Sequence, residues 1–91
     1  MEDNLEEIVR IIASETDYTT VRKIFEELFT PKELVSVSKR WYLMKALYKG
    51  RAQRKIAKDM EISLCKITRG SKILKDPDSV IKKILDERYN G

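Results

Sequence analysis

The basic residues, by their number and spacing, give the clearest indication of what this protein binds. The segment from Arg51 to Lys75 carries eight Lys or Arg residues, and only Asp59 and Glu61 oppose them. Clustered cations bind phosphate groups, so this composition is typical of a nucleic-acid-binding face. The alternative is a solvated helix surface that happens to be basic. Charge alone leaves both interpretations open.

Other reactive chemistry is sparse in this chain. It has no His, and Cys65 is its only cysteine. An intrachain disulfide is therefore impossible, the usual zinc ligand sets are missing, and the Cys65 thiol has no imidazole base to activate it. We expect neither a bound metal nor an enzymatic activity.

The segment QRKIAKDMEISLCKITRG, residues 53–70, has the spacing of a helix-turn-helix. Two helices that cross steeply need a small residue where they approach and apolar residues that fix their angle. Ala57 meets the first need. The second is met by three isoleucines, Ile56, Ile62 and Ile67. As a plain helical hairpin, the same residues would serve only as core.

The second helix of this motif is the predicted DNA-reading helix. Ser63 is placed to cap this helix and is one of the residues predicted to bind DNA. The first turns of the helix would enter a major groove. Side chains of three residues would then face base edges: Leu64, Cys65 and Thr68. Lys55 and Lys72 flank this helix. These side chains give a weak direct code, so DNA shape and bound water should contribute to specificity.

Glu61 occupies the turn position that is usually Gly. A non-Gly residue in the left-handed region costs about 1 kcal/mol. We therefore expect the turn to adopt a different geometry.

Helical periodicity also covers the rest of the chain. Apolar residues recur with helical spacing over residues 5–13 and 21–29, which predicts two amphipathic helices. A last helix should carry the apolar residues between 80 and 85. Asp76 is its predicted N-cap and Pro77 its first residue.

A long third helix is predicted between these elements. Thr30, Pro31 and Glu33 have the types and spacing of a capping box with Pro at the first helical position. The helix should run to Lys49, because Gly50 is a natural residue just past a helix end. One apolar stripe along it is expected to form the core or a dimer contact: Leu34, Val37, Trp41, Met44 and Tyr48.

Length and charge indicate one small domain. A chain of 91 residues has a thin core, so self-association is expected. Residues 1–30 carry eight acidic and three basic residues, whereas residues 31–91 carry seven and sixteen. We assign residues 1–50 to dimerisation helices, 51–75 to the helix-turn-helix and 76–91 to a C-terminal helix. No segment resembles a membrane span or signal peptide, so we expect a cytoplasmic protein.

Several short motifs resemble the tryptophan operon repressor family. They are FTPKE at the start of the third helix, Arg40 within it, YKG at its end, QRKIA opening the helix-turn-helix, and ITRGS with LK at the end of its second helix. The resemblance covers about half of the chain directly. It implies an all-α, six-helix, intertwined homodimer of the bacterial cytoplasm. This dimer would bind operator DNA when L-tryptophan occupies a pocket between the dimer core and each helix-turn-helix.

The resemblance also assigns roles to individual residues. Arg40 and Arg69 would sandwich the indole ring, and Arg69 would bind the ligand carboxylate. Gly70 would leave room for the ring. On the DNA side, Gln53 and Arg54 would lie near the backbone and groove edge, with Arg54 as the best candidate for a guanine contact.

The remaining pocket residues are implied by the same resemblance. Thr30 of the partner subunit would line the pocket, and backbone carbonyls near Glu27 and Phe29 would accept from the ligand ammonium group. Ile73 stands near that group, where the family commonly has Ser or Ala, and Lys66 replaces a smaller neutral residue near the indole. The ligand is therefore tryptophan, another aromatic molecule or none.

An alternative of another class is a protein-interaction module whose basic helical face binds an acidic partner. Salt distinguishes it from a repressor, because a repressor binds duplex DNA with a steep salt dependence.

Overall fold

The computed structural model describes residues 2–89, and over these residues the chain forms six α-helices and no β-strand. The all-α, six-helix prediction is confirmed. The helices are α1 (Glu2–Ser14), α2 (Tyr18–Leu28), α3 (Pro31–Tyr48), α4 (Gln53–Met60), α5 (Leu64–Lys75) and α6 (Val80–Tyr89). Two compact units divide the chain, the first ending at Ser36 and the second beginning at Val37. The division of roles among residues 1–50, 51–75 and 76–91 stays a prediction.

The first unit contains α1, α2 and the start of α3. Asp17 caps α2, because its Oδ2 accepts from the Thr20 N–H at 3.0 Å. The helices have the predicted apolar faces, yet none of residues 3–36 is buried. Leu5 and Val9 are 65% and 52% exposed. The apolar faces of this unit are therefore largely uncovered in the single chain.

Both ends of α3 follow from local hydrogen bonds. The Thr30 N–H donates to Glu33 Oε1 at 2.9 Å, and the Glu33 N–H donates to Thr30 Oγ1 at 3.2 Å, which confirms the capping box. The helix ends at Tyr48, one residue before the predicted end. Gly50 has φ +80° and donates to the Leu47 carbonyl at 3.0 Å, while the next N–H reaches back to Ala46 at 3.2 Å. This is a Schellman motif with Gly in the left-handed position.

The second unit has a core made by α3, α4 and α5. Four buried residues form it: Leu43, Ala46, Ile56 and Ile67. Partly buried side chains surround them: Leu47, Ala57, Met60 and Ile62. The roles predicted for the three isoleucines and Ala57 are confirmed, since all four lie in or against this core.

The stripe of α3 that was expected to form the core or a dimer contact is only partly buried within one chain. Trp41, Met44 and Tyr48 are half-buried, but Val37 is exposed. The residues that α3 buries are Leu43 and Ala46, which the stripe omitted. Because α3 has apolar residues on several faces, periodicity does not indicate which face turns to the core.

Glu61 does take the left-handed conformation, with φ 53° and ψ 46°, so the prediction of a different turn geometry was wrong. Its N–H donates to the Lys58 carbonyl at 3.4 Å, and the Ile62 N–H donates to the Ala57 carbonyl at 3.2 Å. This is the same hydrogen-bond pattern that ends α3. Two hydrogen bonds and the packing of Ile62 on the core offset a strain of about 1 kcal/mol.

The predicted start of the last helix was also wrong. Asp76 ends α5, and the carbonyl of Asp76 accepts from the Ser79 N–H at 3.0 Å. Pro77 therefore occupies the second position of a β-turn, which its fixed φ favours as well as it favours a helix start. Ser79 replaces Asp76 as the cap of α6, because its Oγ accepts from the Lys82 N–H at 3.1 Å.

Helix α6 is anchored to the end of α3 within the second unit. Leu85 is fully buried. The Tyr48 hydroxyl donates to Asp86 Oδ1 at 2.6 Å, and the Lys49 ammonium lies 5.1 Å from the ring centroid of Tyr89. The hydrogen bond from Tyr48, aided by the charge of Lys82, holds the pKa of Asp86 below its usual value. No described helix is long and apolar enough to cross a membrane.

Candidate nucleic-acid interface

Helix α5 turns one face to the core and the opposite face to solvent. Ile67 and Gly70 are buried on the inner face. On the outer face, Leu64 is 52% exposed although it is a large apolar residue. Five outer residues line one shallow depression of about 420 Å³, which we call the α5 surface: Leu64, Cys65, Thr68, Arg69 and Lys72. All three residues predicted to face base edges therefore share one surface.

The start of α5 is fixed by its predicted cap. Ser63 has extended backbone angles, and its Oγ accepts from the Lys66 N–H at 3.4 Å. Because the helix begins at Leu64, the residues Leu64, Cys65, Thr68 and Arg69 of the α5 surface lie in its first half, and Lys72 lies in its last turn. A helix N-terminus carries partial positive charge, which favours nearby phosphate groups.

The hydroxyl group of Thr68 already has a partner. Thr68 Oγ1 donates to the Leu64 carbonyl one turn earlier, at 2.9 Å. This bond holds the side chain in one rotamer and leaves only the oxygen lone pairs for an external group.

Most of the cations predicted to bind DNA are available for a partner. Within the described part of the chain, Arg54 and Lys72 make no hydrogen bond or ion pair through their side chains, and neither does Arg69, which was predicted to bind the ligand. Lys55 approaches Asp59 at 3.9 Å, and both side chains are more than half exposed. Such exposed pairs contribute little stability, so Lys55 too can exchange its partner for a phosphate. Gln53, the first residue of α4, is exposed beside Arg54.

Gly70 lies where α5 packs against side chains of α3. A Cβ at this position would lie 2.9 Å from Leu47 Cδ1 and 3.3 Å from Met44 Sδ. Gly therefore permits a helix contact that Ala would crowd. Neither Leu47 nor Met44 was predicted to contact Gly70, and the sequence signal was only the presence of Gly inside a helix.

Among residues 2–89, no group of three or more His, Cys, Asp or Glu side chains is placed to hold a metal ion. The charged residues of the α5 surface, Arg69 and Lys72, are cations that suit electrostatic contact with phosphates.

A comparison with protein families matches the Trp repressor protein family over residues 3–89. The chain belongs to the Trp repressor family. The match extends well beyond residues 29–74, where the short motifs are concentrated. No curated protein and no solved structure matches the chain. The family consists of helix-turn-helix transcription regulators and is not an enzyme family, and its members generally bind tryptophan as a corepressor.

Within the second unit, the ligand-binding residues implied for a Trp repressor differ in their exposure. Arg40 is exposed on α3 and makes no polar contact with the described residues. Arg69 is exposed on the α5 surface, whereas the adjacent Gly70 is buried. Ile73 is exposed one turn after Gly70. Arg69 thus lies with the residues predicted to bind DNA, and its role toward a ligand stays a prediction.

The other implied ligand residues belong to the first unit. Thr30 uses its hydroxyl in the capping box, and the Glu27 and Phe29 carbonyls lie at the C-terminal end of α2. The residue four positions after Glu27 is Pro31, which has no N–H to donate to the Glu27 carbonyl. This carbonyl therefore lacks the usual helical donor and is a suitable acceptor for an ammonium group.

Proposed function

We propose that this protein is a transcriptional repressor that binds operator DNA through α5, acts as an intertwined homodimer and uses L-tryptophan as corepressor. The observation that carries the proposal is the α5 surface. It presents Leu64, Cys65 and Thr68 beside unpaired cations, while the opposite face of the same helix is fixed to a core.

The firm seating of α5 supports its role as a reading helix. Buried Ile67 and the close contact at Gly70 hold the helix against α3. A side chain reads a base edge only when its position is reproducible, so a rigid support favours direct contacts. Arg54 at the start of α4 and Lys72 on α5 supply charge for the DNA backbone and groove edge.

The proposed homodimer follows from the first unit and from the geometry of DNA. The apolar faces of α1 and α2 are largely exposed in one chain, and a second copy would cover them. A two-fold dimer presents two reading helices, which match half-sites one helical turn apart. Tryptophan would act by favouring the dimer conformation that has this spacing.

The proposed tryptophan site uses Arg40 and Arg69 on the two faces of the indole ring, with Gly70 beside it. A guanidinium group stacks on an aromatic ring and forms paired hydrogen bonds with a carboxylate. Thr30 of the partner subunit and the carbonyls of Glu27 and Phe29 complete the proposed site.

The test is whether tryptophan controls DNA binding. Duplexes selected from a random pool with protein and L-tryptophan should bind in a gel shift, and binding should weaken when tryptophan is omitted. Arg54→Ala should weaken DNA binding strongly and leave tryptophan binding in calorimetry nearly unchanged. Arg22→Ala, which removes a cation already paired with Glu26 at 3.1 Å, is the matched control. Parallel loss of both activities in Arg54→Ala would contradict separate sites.

Two further variants test the proposed tryptophan site. Arg69→Ala should abolish tryptophan-dependent DNA binding more completely than Arg40→Ala, because Arg69 has both the stacking and the carboxylate role. Absence of tryptophan binding to the unmodified protein at millimolar ligand in equilibrium dialysis would refute the corepressor proposal.

A second candidate is a regulator of the same fold that responds to another aromatic ligand or to none. Ile73 favours it, because a branched apolar side chain stands where the family commonly has Ser or Ala. Dialysis against tryptophan, phenylalanine and indole in parallel separates the two candidates.

A further inference from the structure

A second open depression lies in the second unit, where α6 meets the ends of α3 and α5. Its volume is about 400 Å³, and we call it the α6 groove. Polar side chains from four segments line it: Arg51 after α3, Gln53 of α4, Ser71 and Lys75 of α5, and Lys82 of α6. The apolar part of its lining comes from Leu47, Tyr48 and Leu74.

The charge of the α6 groove has one sign. Arg51, Lys75 and Lys82 contribute three cations, and no carboxylate belongs to its lining. The neutral side chains of Gln53 and Ser71 add hydrogen-bond donors. A concave surface with several cations and no anion is suited to a phosphate group.

Of the three cations in the α6 groove, only Lys82 lies outside the basic segment from Arg51 to Lys75. It reaches the groove because α6 is anchored by the hydrogen bond from Tyr48 to Asp86 and by buried Leu85. Its ammonium group lies 3.5 Å from Asp86 Oδ2, and its side chain is 48% exposed. An exposed pair of this length is weak, so a phosphate can displace the carboxylate.

The α6 groove shares helices α4 and α5 with the proposed DNA-binding elements. Gln53 is predicted to lie near the DNA backbone, and Lys75 follows Lys72 of the α5 surface by one turn on the same helix. The major groove is about 12 Å wide, so a helix that enters it lies close to the phosphates on its edges.

We propose that the α6 groove binds a backbone phosphate of duplex DNA and that Lys82 makes α6 part of the DNA-binding face. This inference rests on the proposed DNA-binding function and extends it to a helix outside the helix-turn-helix. The contact contributes affinity without sequence preference, because phosphates carry no base information.

The experiment measures the affinity of a fluorescent duplex of random sequence over a series of salt concentrations. Lys82→Gln should weaken binding and lower the slope of log affinity against log salt by about 1, the amount expected for one lost phosphate contact. Lys83→Gln is the matched control, since Lys83 is an exposed neighbour on α6 that does not line the groove. Lys82→Arg should restore the slope.

Two further variants make the test independent of one substitution. Lys75→Gln should lower the slope as Lys82→Gln does. Asp86→Asn should tighten binding, because it removes the charge that competes for Lys82. Circular dichroism melts verify that each variant is folded.

The outcomes separate the two proposals. If the unmodified protein binds duplex DNA and Lys82→Gln has the same slope as Lys83→Gln, the α6 groove does not bind phosphate and the proposed function stands. If the unmodified protein shows no salt-dependent DNA binding, the proposed function fails and this inference fails with it.

Discussion

The two compact units differ in how far their apolar side chains are buried. In the first unit, no residue from 3 to 36 is buried, and Leu5 and Val9 remain more than half exposed. In the second unit, α3, α4 and α5 cover one another around Ile56 and Ile67. Both units have amphipathic helices, so amphipathicity predicts where an apolar face lies and not what covers it. The helices of the second unit bury one another's apolar faces, whereas the apolar faces of the first unit stay largely exposed in a single chain.

The largest expected effect is the loss of the core of the second unit. Ile67→Ala should lower the free energy of unfolding by about 2 to 5 kcal/mol, because it leaves a cavity at a fully buried position. Urea denaturation measures the change. Ile84→Ala is the control, since Ile84 is 39% exposed and should cost much less. Equal losses in the two variants would show that Ile67 is not a core residue.

The next effect tests the first unit. Leu5→Ala should weaken the proposed homodimer by about tenfold or more, because burying a Leu side chain contributes roughly 1.5 to 3 kcal/mol. Sedimentation equilibrium measures the dissociation constant. Asn4→Ala, an adjacent exposed polar position on α1, should leave it unchanged. A wild-type protein that stays monomeric at high concentration would contradict the proposal that a second copy buries the apolar faces of α1 and α2.

A smaller effect compares the two Schellman motifs on either side of α4. Glu61→Gly should stabilise the second unit by up to about 1 kcal/mol, because it relieves a left-handed non-Gly residue. Gly50→Ala should destabilise it by about the same amount, and the cost is one of backbone conformation, since a Cβ there meets nothing within 4 Å. Thermal melts measure both. Changes of the same sign would refute this account of the turns.

The smallest effect concerns acid stability. Because the pKa of Asp86 is below the ordinary 3.8, its carboxylate contributes stability that is present above that pH and lost as pH falls through the folded pKa. Tyr48→Phe should therefore destabilise at neutral pH, and the difference from wild type should shrink in acid below pH 3.8. Tyr42→Phe is the control. Tyr42 is hydrogen-bonded to Arg51 rather than to a carboxylate, so its effect should not change with pH.

Features with local causes could be predicted from sequence. Thr30 and Glu33 each accept a hydrogen bond from the other's N–H across one turn, and Ser63 caps α5 by accepting from the N–H of Lys66. The core residues of the helix-turn-helix followed from their spacing for the same reason. The caps join residues three positions apart, and the spacing of the isoleucines within the helix-turn-helix marks its apolar side, although Leu43 and Ala46 of α3 complete that core.

Features that depend on distant partners could not be predicted. The conformation of Glu61 depends on the packing of Ile62 against the core, and the inward face of α3 depends on α4 and α5. Asp76 and Ser79 are both good caps, and only the position of α6 selects between them. Lys82 joins the α6 groove because α6 is anchored to Tyr48, 38 positions from Asp86.

The hydrogen bond of Thr68 to the Leu64 carbonyl has a consequence for base choice. Because its hydrogen is already donated within α5, the hydroxyl offers a base only an acceptor. In the major groove the matching donors are the exocyclic amino groups of adenine and cytosine. In the proposed complex, Thr68 therefore favours a base with an amino group over thymine or guanine at the position it contacts, and Thr68→Val would remove that preference while keeping the shape of the side chain.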